Sequence, residues 1–359
     1  MERRDTRVVK VGAPTKRPFH RLRKPGYTRS TLQRITLLML ALLAAPTLEA
    51  NCLHGETMGS TWRVVAPRLG AETRPALCAR IEALLEDVNA RMSTYRPDSE
   101  LSRFNASTST AWQPVSAPLM TVLVAARRVS EASDGAFDAT VGPLVDLWGF
   151  GPQARIDTPP PAEAVAAARA RVGYRQVELD AQGSRIRKLR ADVRVDLSAL
   201  AEGWAVDQVV KLLEAEGLVD YLVDVGGEMR VRGRNAAGQP WRLGVALPRA
   251  DSDATLRALA PGDAAVATSG DYRNYFEHDG RHYSHEIDPA SGAPITNDVA
   301  SVTVIARECV YADAYATAFM VLGPERGLAI AREVGVEALF VLRGAQGFEL
   351  RASPGFPLP

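Results

Sequence analysis

Asp313 and Thr317 stand four residues apart in the run ADAYATA, on one face of a predicted helix whose other positions are mostly alanine. A carboxylate and a hydroxyl so placed offer hard oxygen ligands, which Mg²⁺ accepts while taking further oxygens from phosphate and water. The small neighbours let a ligand come close to the helix. The same Asp313 could instead cap the helix, because it lies near its start. Upstream, His285 sits in HEIDPASGAP at the end of a strand, beside a turn built from Glu286, Asp288, Pro289 and Gly292. There it could act as a general base or polarise a phosphate oxygen, or simply be a hydrogen-bonded structural group. Asp196 opens VDLSALAEGWAVD just ahead of another helix. Ser198, Ala199 and the following amides could present N–H and C=O groups to a phosphate or a cation, with an ordinary N-cap as the plainer alternative. Gly226-Gly227 permits close backbone approach to a ligand, or a tight turn. Tyr95 and Ala136-Phe137-Asp138 supply aromatic faces and an acid that could sandwich a planar ring, or pack in a core.

These residues need elements to hold them. Residues 58–66, MGSTWRVVA, alternate and read as a strand. Pro75 opens a helix to about Asn89, with Leu77, Ile81, Leu84, Leu85 and Val88 at helical spacing, and Pro118 opens another to Ser133. A Pro/Ala stretch at 152–172 suggests a surface helix. Residues 174–179 and 185–189 read as a hairpin around Gln182-Gly183, followed by a helix over 201–216 and a strand over 221–225. Further strands are expected at 229–234, 241–247, 264–268, 273–278, 281–287 and 299–306, then a helix over 312–322. Strands and helices mix without strict alternation, which points to an α+β fold with antiparallel sheet, not a doubly wound one. The sequence shows no internal repeat.

The bulk numbers narrow the function classes. Hydrophobic residues at 46% and charged residues at 24% of 359 are those of a soluble globular protein. The formal net charge of +1 hides a segregation: residues 1–34 carry eleven Lys/Arg against two acids, while 51–359 carry 32 basic and 39 acidic residues. An acidic body argues against a nucleic-acid partner. The basic tract followed by ITLLMLALLAA (35–45) is too short to span a bilayer comfortably and fits a secretory signal, with cleavage after Ala50 or retention as an inner-membrane anchor. Residues 1–50 are therefore read as a targeting segment and 51–359 as one catalytic unit, with two interleaved lobes allowed. Lipidation at Cys52 would need small apolar residues before it, where Glu49-Ala50-Asn51 stand. Cys52, Cys78 and Cys309 form no CxxC, so zinc and iron–sulfur chemistry are not indicated, and Cys78 and Cys309 are expected as buried apolar residues on helices. GxGxxG, GxSxG, HExxH, the P-loop and the EF-hand loop are all missing.

Seven blocks, HGETMGSTW, MSTYRPDSELSRFN, GAFDATVGPLVDLWGFG, VDLSALAEGWAVD, TSGDYRNYF, HEIDPASGAP and ADAYATA, occur in the order seen in the FAD:protein FMN transferases, and across residues 54–342 the chain resembles this ApbE-like family. The resemblance implies an α+β, T-fold-like architecture with mixed or antiparallel sheets flanked by helices. It implies an exported bacterial enzyme that binds FAD and Mg²⁺, cuts the pyrophosphate, releases AMP and attaches FMN to a Thr or Ser of a target flavoprotein. Such targets include subunits of sodium-pumping and Rnf-type redox complexes at the periplasmic face. Some relatives instead hydrolyse FAD, and an FAD-binding carrier or maturation protein is the other alternative. Carried over block by block, Met58, Tyr95, Ala136, Phe137, Asp138, Asp196, Glu202 and Ile287 match FAD-pocket positions. The Ala199 carbonyl, Asp313 and Thr317 match metal ligands, and His285 is the candidate for activating the acceptor hydroxyl. Two departures stand out: Glu202 occupies a position where the family often has Lys, and Asp224 one where it often has Asn.

Overall fold

The computed structural model describes residues 9–11, 52–152 and 155–358. The basic tract, apart from residues 9–11, and the apolar run 35–45 lie outside the described residues. Among the described residues no helix is long and apolar enough to cross a membrane.

One eight-stranded sheet organises the fold. Its strands are β1 (Cys52–Thr57), β2 (Ser60–Val65), β3 (Tyr221–Val225), β4 (Glu228–Arg232), β5 (Ala265–Gly270), β6 (Val299–Ala306), β7 (Glu337–Gly344) and β8 (Gly347–Ala352). They lie side by side in chain order, and every neighbouring pair is antiparallel. The sequence therefore builds the same plan twice: two strands, a helical excursion, two strands. The excursion of the first half, between β2 and β3, carries α1 (Arg74–Met92), α2 (Ala117–Ala132) and α3 (Ser198–Ala215); that of the second, between β6 and β7, is α4 (Cys309–Val334). This repeat is one of topology and leaves no trace in residue types. Strand alternation sorts the two faces. Val223, Ala267, Val304 and Phe340 point to the helices, whereas Leu222, Val266, Ile305 and Leu339 meet Leu243, Val245 and Leu259 of a smaller sheet on the other side.

The helices follow their apolar spacing. α1 buries Leu77, Ile81, Leu85, Val88 and Met92, and the Ser116 hydroxyl caps α2 by accepting from Leu119 N–H at 3.4 Å. Several expectations shift. Met58 is not in a strand. Met58 and Gly59 form the two-residue turn of the β1–β2 hairpin with φ of +50° and +73°, the geometry that matches the twist of paired strands. The helix expected from 201 begins at Ser198, and the one expected over 312–322 runs from Cys309 to Val334 across a break at Gly323 and Pro324. Strands Thr255–Leu259, β7 and β8 come from segments not read as strands.

A second apolar cluster stands apart from the main core. Leu144, Trp148, Ala168 and Ile287 gather residues from two distant stretches, 141–172 and 276–293. The hairpin Tyr275–His278/Arg281–Ser284 stacks its Phe276 and Tyr283 rings 5.0 Å apart, and Tyr283 lies 5.7 Å from Trp148. Trp148 Nε1 donates to the Gly292 carbonyl at 2.9 Å, which ties this small lobe to the HEIDPASGAP turn.

Candidate active site

The site forms where α3, from the first half, crosses α4, from the second. Gly203 is what lets them touch: a Cβ at this position would sit 2.5 Å from the Cys309 carbonyl oxygen and 2.9 Å from Asp313 Cβ. The contact places Asp313 deep in the seam at 7% exposure, with its Oδ2 accepting the Gly203 N–H at 3.1 Å. An unbroken helix would aim that amide at the Ala199 carbonyl. Ala199, however, departs from helical geometry (φ −92°, ψ 23°), so the first turn of α3 is kinked at the residue whose carbonyl is the candidate ligand. Asp313 is not the helix cap. The N-cap position is Glu308, and the Asp313 carboxylate is engaged in a tertiary contact. One turn on, Thr317 Oγ1 hydrogen-bonds Ser269 Oγ across 3.2 Å, bringing the TSGD end of β5 to the same seam.

The electrostatics are unusual for an interior. Burial pushes the Asp313 carboxyl well above the usual carboxylate range, and the neighbouring Glu202 charge adds to it. Glu228, 4% exposed, is pushed up by burial first and then by Glu202 and Asp313, and its Oε2 has no hydrogen-bond partner among the described residues. Glu202 lies against the Gly226-Gly227 turn, where a Cβ on Gly226 would meet its carboxyl at 2.6 Å. Several acids with little compensating positive charge make a seam that a cation would stabilise. Among the described residues, no three His, Cys, Asp or Glu side chains converge as a ready-made metal cage. The residues fit a hard cation held by a mixed set, the Asp313 carboxylate, the Thr317 hydroxyl and the Ala199 carbonyl, with phosphate and water completing the shell. The orphaned Glu228 oxygen and the kink at Ala199 are the structural signs of that fit.

A second group of residues surrounds His285. Its Nδ1 lies 3.2 Å from the Asn274 carbonyl oxygen, and its Nε2 lies 3.5 Å from Glu286 Oε1. A carbonyl can only accept, so a hydrogen bond here puts the proton on Nδ1, and Nε2 faces the Glu286 carboxyl. Phe150 meets the ring edge-on at 6.3 Å between centroids. Glu286 is buried and raised to about 8, by burial and then by Asp271, while Asp271 is itself clamped by Arg343 at 2.5 and 2.8 Å. The Asp313 carboxyl feels the Glu286 charge, which links this group to the seam. Ile287 is buried in the small lobe behind the histidine. Asp288 holds the turn by accepting from Ala290 N–H at 2.9 Å and Ser291 N–H at 3.2 Å.

The remaining predicted residues, Met58 apart, lie on the long excursion of the first half. Asp196 Oδ1 accepts from Ser198 N–H (2.8 Å) and Ser198 Oγ (2.6 Å), fixing the entrance of α3, and its own N–H donates to Ala139 O at 2.6 Å. The last bond connects Asp196 to the AFD segment. Phe137 is buried, and Asp138 has both carboxylate oxygens occupied within the fold, by Thr140 N–H and Oγ1 and by Tyr174 N–H. Ala136 is half-buried; its N–H donates to Ser133 O. Tyr95 is the outlier, 54% exposed on the loop after α1. Met58 is half-buried against the main core. The structure thus gathers Ala199, Glu202, Asp313 and Thr317 at one seam, sets His285 and Ile287 beside it through Glu286, and leaves Tyr95 and Met58 on separate loops.

Gly203, Ser269, Glu228 and Glu286 belong to this arrangement, and sequence reasoning does not single them out for it. The one signal available is a glycine inside an otherwise regular helix, AEGWAVD, which marks close approach more often than flexibility.

The sequence and the fold have known relatives. The ApbE family profile matches residues 58–340. The chain belongs to the ApbE family. It is 44% identical over 325 residues to the FAD:protein FMN transferase of Vibrio cholerae, covering 90% of this chain and 97% of that one. It is also similar to the solved structure of the flavin transferase ApbE from Vibrio cholerae (TM-score 0.78, 44% identity, 85% of this chain and 97% of that one). The apo flavinyl transferase ApbE of Pseudomonas stutzeri is comparably close (TM-score 0.76, 41% identity, 84% and 94%). The α+β reading agrees with this similarity and with the antiparallel eight-stranded sheet and its flanking helices.

Proposed function

We propose that this chain transfers FMN from FAD to a threonine or serine hydroxyl of a target flavoprotein, releasing AMP, in a Mg²⁺-dependent reaction. The observation that carries this reading is the α3–α4 seam, where Asp313, Thr317 and the kinked Ala199 carbonyl offer three hard oxygens amid buried acids. A divalent cation bound there supplies neutralisation of the FAD pyrophosphate, the main requirement of phosphoryl-type transfer. The chain's own residues do the rest. Asp313 is held in place by Gly203 N–H, and Thr317 by Ser269. Asp196 and the AFD segment form the wall offered to the flavin. His285, with its proton on Nδ1, carries on Nε2 the lone pair that takes the proton of the acceptor hydroxyl. That transfer accompanies formation of the new O–P bond to the FMN phosphorus and cleavage of the bond to AMP. The basic tract and the apolar run 35–45 support export, with the enzyme acting at the periplasmic face, free or tethered to the inner membrane, on a flavoprotein of a redox complex.

The test is to mix the purified protein with FAD, Mg²⁺ and a candidate target domain. Covalent in-gel flavin fluorescence on the target supports the transferase. Free FMN and AMP without label would make it an FAD hydrolase, and bound FAD without turnover a carrier. The absence of any FAD-dependent thermal shift would remove the flavin reading altogether.

A further inference from the structure

Asp207 lies at the end of the α3 segment VDLSALAEGWAVD, and its carboxylate reaches across to α4. It accepts the first two amides of that helix, Cys309 N–H at 2.8 Å and Val310 N–H at 3.0 Å. α4 has no cap of its own, because the N-cap residue Glu308 makes no side-chain capping bond. A carboxylate at this place satisfies donors that a helix start leaves open and meets the positive end of the helix dipole. Asp207 therefore caps a helix from a different helix.

Its position along α3 gives the contact a second meaning. Ala199, Gly203 and Asp207 are spaced four apart and share one face. Going down that face, the Ala199 carbonyl is the candidate metal ligand, the Gly203 amide holds Asp313 Oδ2, and Asp207 holds the backbone that begins four residues before Asp313. Two bonds one turn apart fix both the slide and the rotation of α4 against α3. Cys309 adds a third tie on the far side, its Sγ donating to the Met229 carbonyl at 3.6 Å.

We propose that Asp207 is a positioning residue for the metal site: its clamp on the Cys309 and Val310 amides sets the register in which Asp313 and Thr317 face the Ala199 carbonyl. The inference rests on the proposed metal-dependent function but concerns a residue that touches neither cation nor flavin.

The experiment measures Mn²⁺ binding to the FAD-loaded protein by electron paramagnetic resonance, alongside FAD binding in EDTA and thermal unfolding, for wild type, Asp207→Asn and Asp207→Asn with Glu308→Ser. FAD-dependent Mn²⁺ binding by the wild type checks the underlying reading by itself. Asp207→Asn should weaken Mn²⁺ binding about tenfold, the size of an outer-sphere positioning loss, with FAD affinity in EDTA unchanged. Transfer should recover at saturating metal. The added Glu308→Ser substitution gives α4 a local cap but no tie to α3, so it should restore the unfolding temperature without restoring Mn²⁺ affinity. Mn²⁺ affinity within about twofold of wild type in Asp207→Asn would overturn the proposal, being well short of an outer-sphere loss. So would recovery of both stability and affinity by the local cap, because Asp207 would then merely stabilise a helix. Should Asp207→Asn fail to fold, Asp207→Glu, which keeps the charge and both acceptor oxygens at a longer reach, is measured in the same way; unaltered Mn²⁺ affinity there also counts against the register.

Discussion

The two halves of the molecule share one plan and spend their sequence differently. In the second half, residues 307–336 hold a single helix between its two strand pairs; in the first, the excursion runs from 66 to 220 and carries three long helices, two small strand pairings and most of the lobe around Trp148. The short excursion carries the candidate chemistry: Asp313 and Thr317 on α4, with His285 and Ser269 on the connections and strands around it. The long one carries the segments proposed as walls, namely the AFD segment and Asp196, and the α3 face that receives α4.

Breaking the seam should therefore cost more than altering either wall. Asp313→Ala removes the carboxylate ligand and should lower FMN transfer roughly a hundredfold or more at any Mg²⁺ concentration, read as label on a target domain. Retained transfer would detach the chemistry from the second half. His285→Ala should slow single-turnover transfer by about 10²-fold while FAD still binds. An unchanged single-turnover rate would leave the histidine as a structural tie to Asn274. Gly203→Ala forces a methyl against the Cys309 carbonyl; it should destabilise by about 1–3 kcal/mol in thermal unfolding and raise the Mg²⁺ needed for half-maximal transfer. A neutral result would mean that the helices are free to part.

The smallest expected effect is on stability against pH, and buried acids of both halves give it the same sign. Glu286 is raised to about 8, Asp224 to about 6 and Asp207 to about 6, in each case by burial first. Folded-state values above the unfolded ones mean that the folded protein binds more protons between about pH 4.5 and 8. Stability in EDTA should therefore be greatest at the acid end of that window and fall as pH rises through about 6 and then about 8. A differential-scanning series from about pH 5 to 8.5 checks it, and saturating Mg²⁺ with FAD should flatten the slope. An opposite slope would mean that groups with depressed folded-state pKa values outweigh these three acids.

Much of this is legible in the residues alone. Strands 221–225 and 299–306 can be read to the residue, because β-branched runs bounded by glycine or charge leave little ambiguity. Asp313 and Thr317 are visible as a pair through helical spacing. How far Asp313 lies inside the helix is not, since Cys309–Tyr311 carries no start signal of its own. That start is set by Asp207, 102 residues earlier in the chain. The kink at Ala199 and the acceptor duty of Asp313 toward Gly203 are equally products of helix crossing. β7 and β8 escape a sequence reading because their strand character is completed by pairing, β7 with β6 and β8 with β7, which local propensity does not encode. Met58 reads as strand because its neighbours alternate, whereas the hairpin needs two residues of positive φ at that point.

The central claim is that the α3–α4 seam holds the cation that FMN transfer from FAD needs. It is tested most directly by a crystal structure of the protein with FAD and Mn²⁺, read by the anomalous signal of the metal. The account predicts one peak in the seam, within inner-sphere distance, about 2.0–2.2 Å, of Asp313, the Thr317 hydroxyl, the Ala199 carbonyl and a pyrophosphate oxygen. A metal bound elsewhere on the FAD, with Asp313 still engaged only with the Gly203 amide, would contradict it.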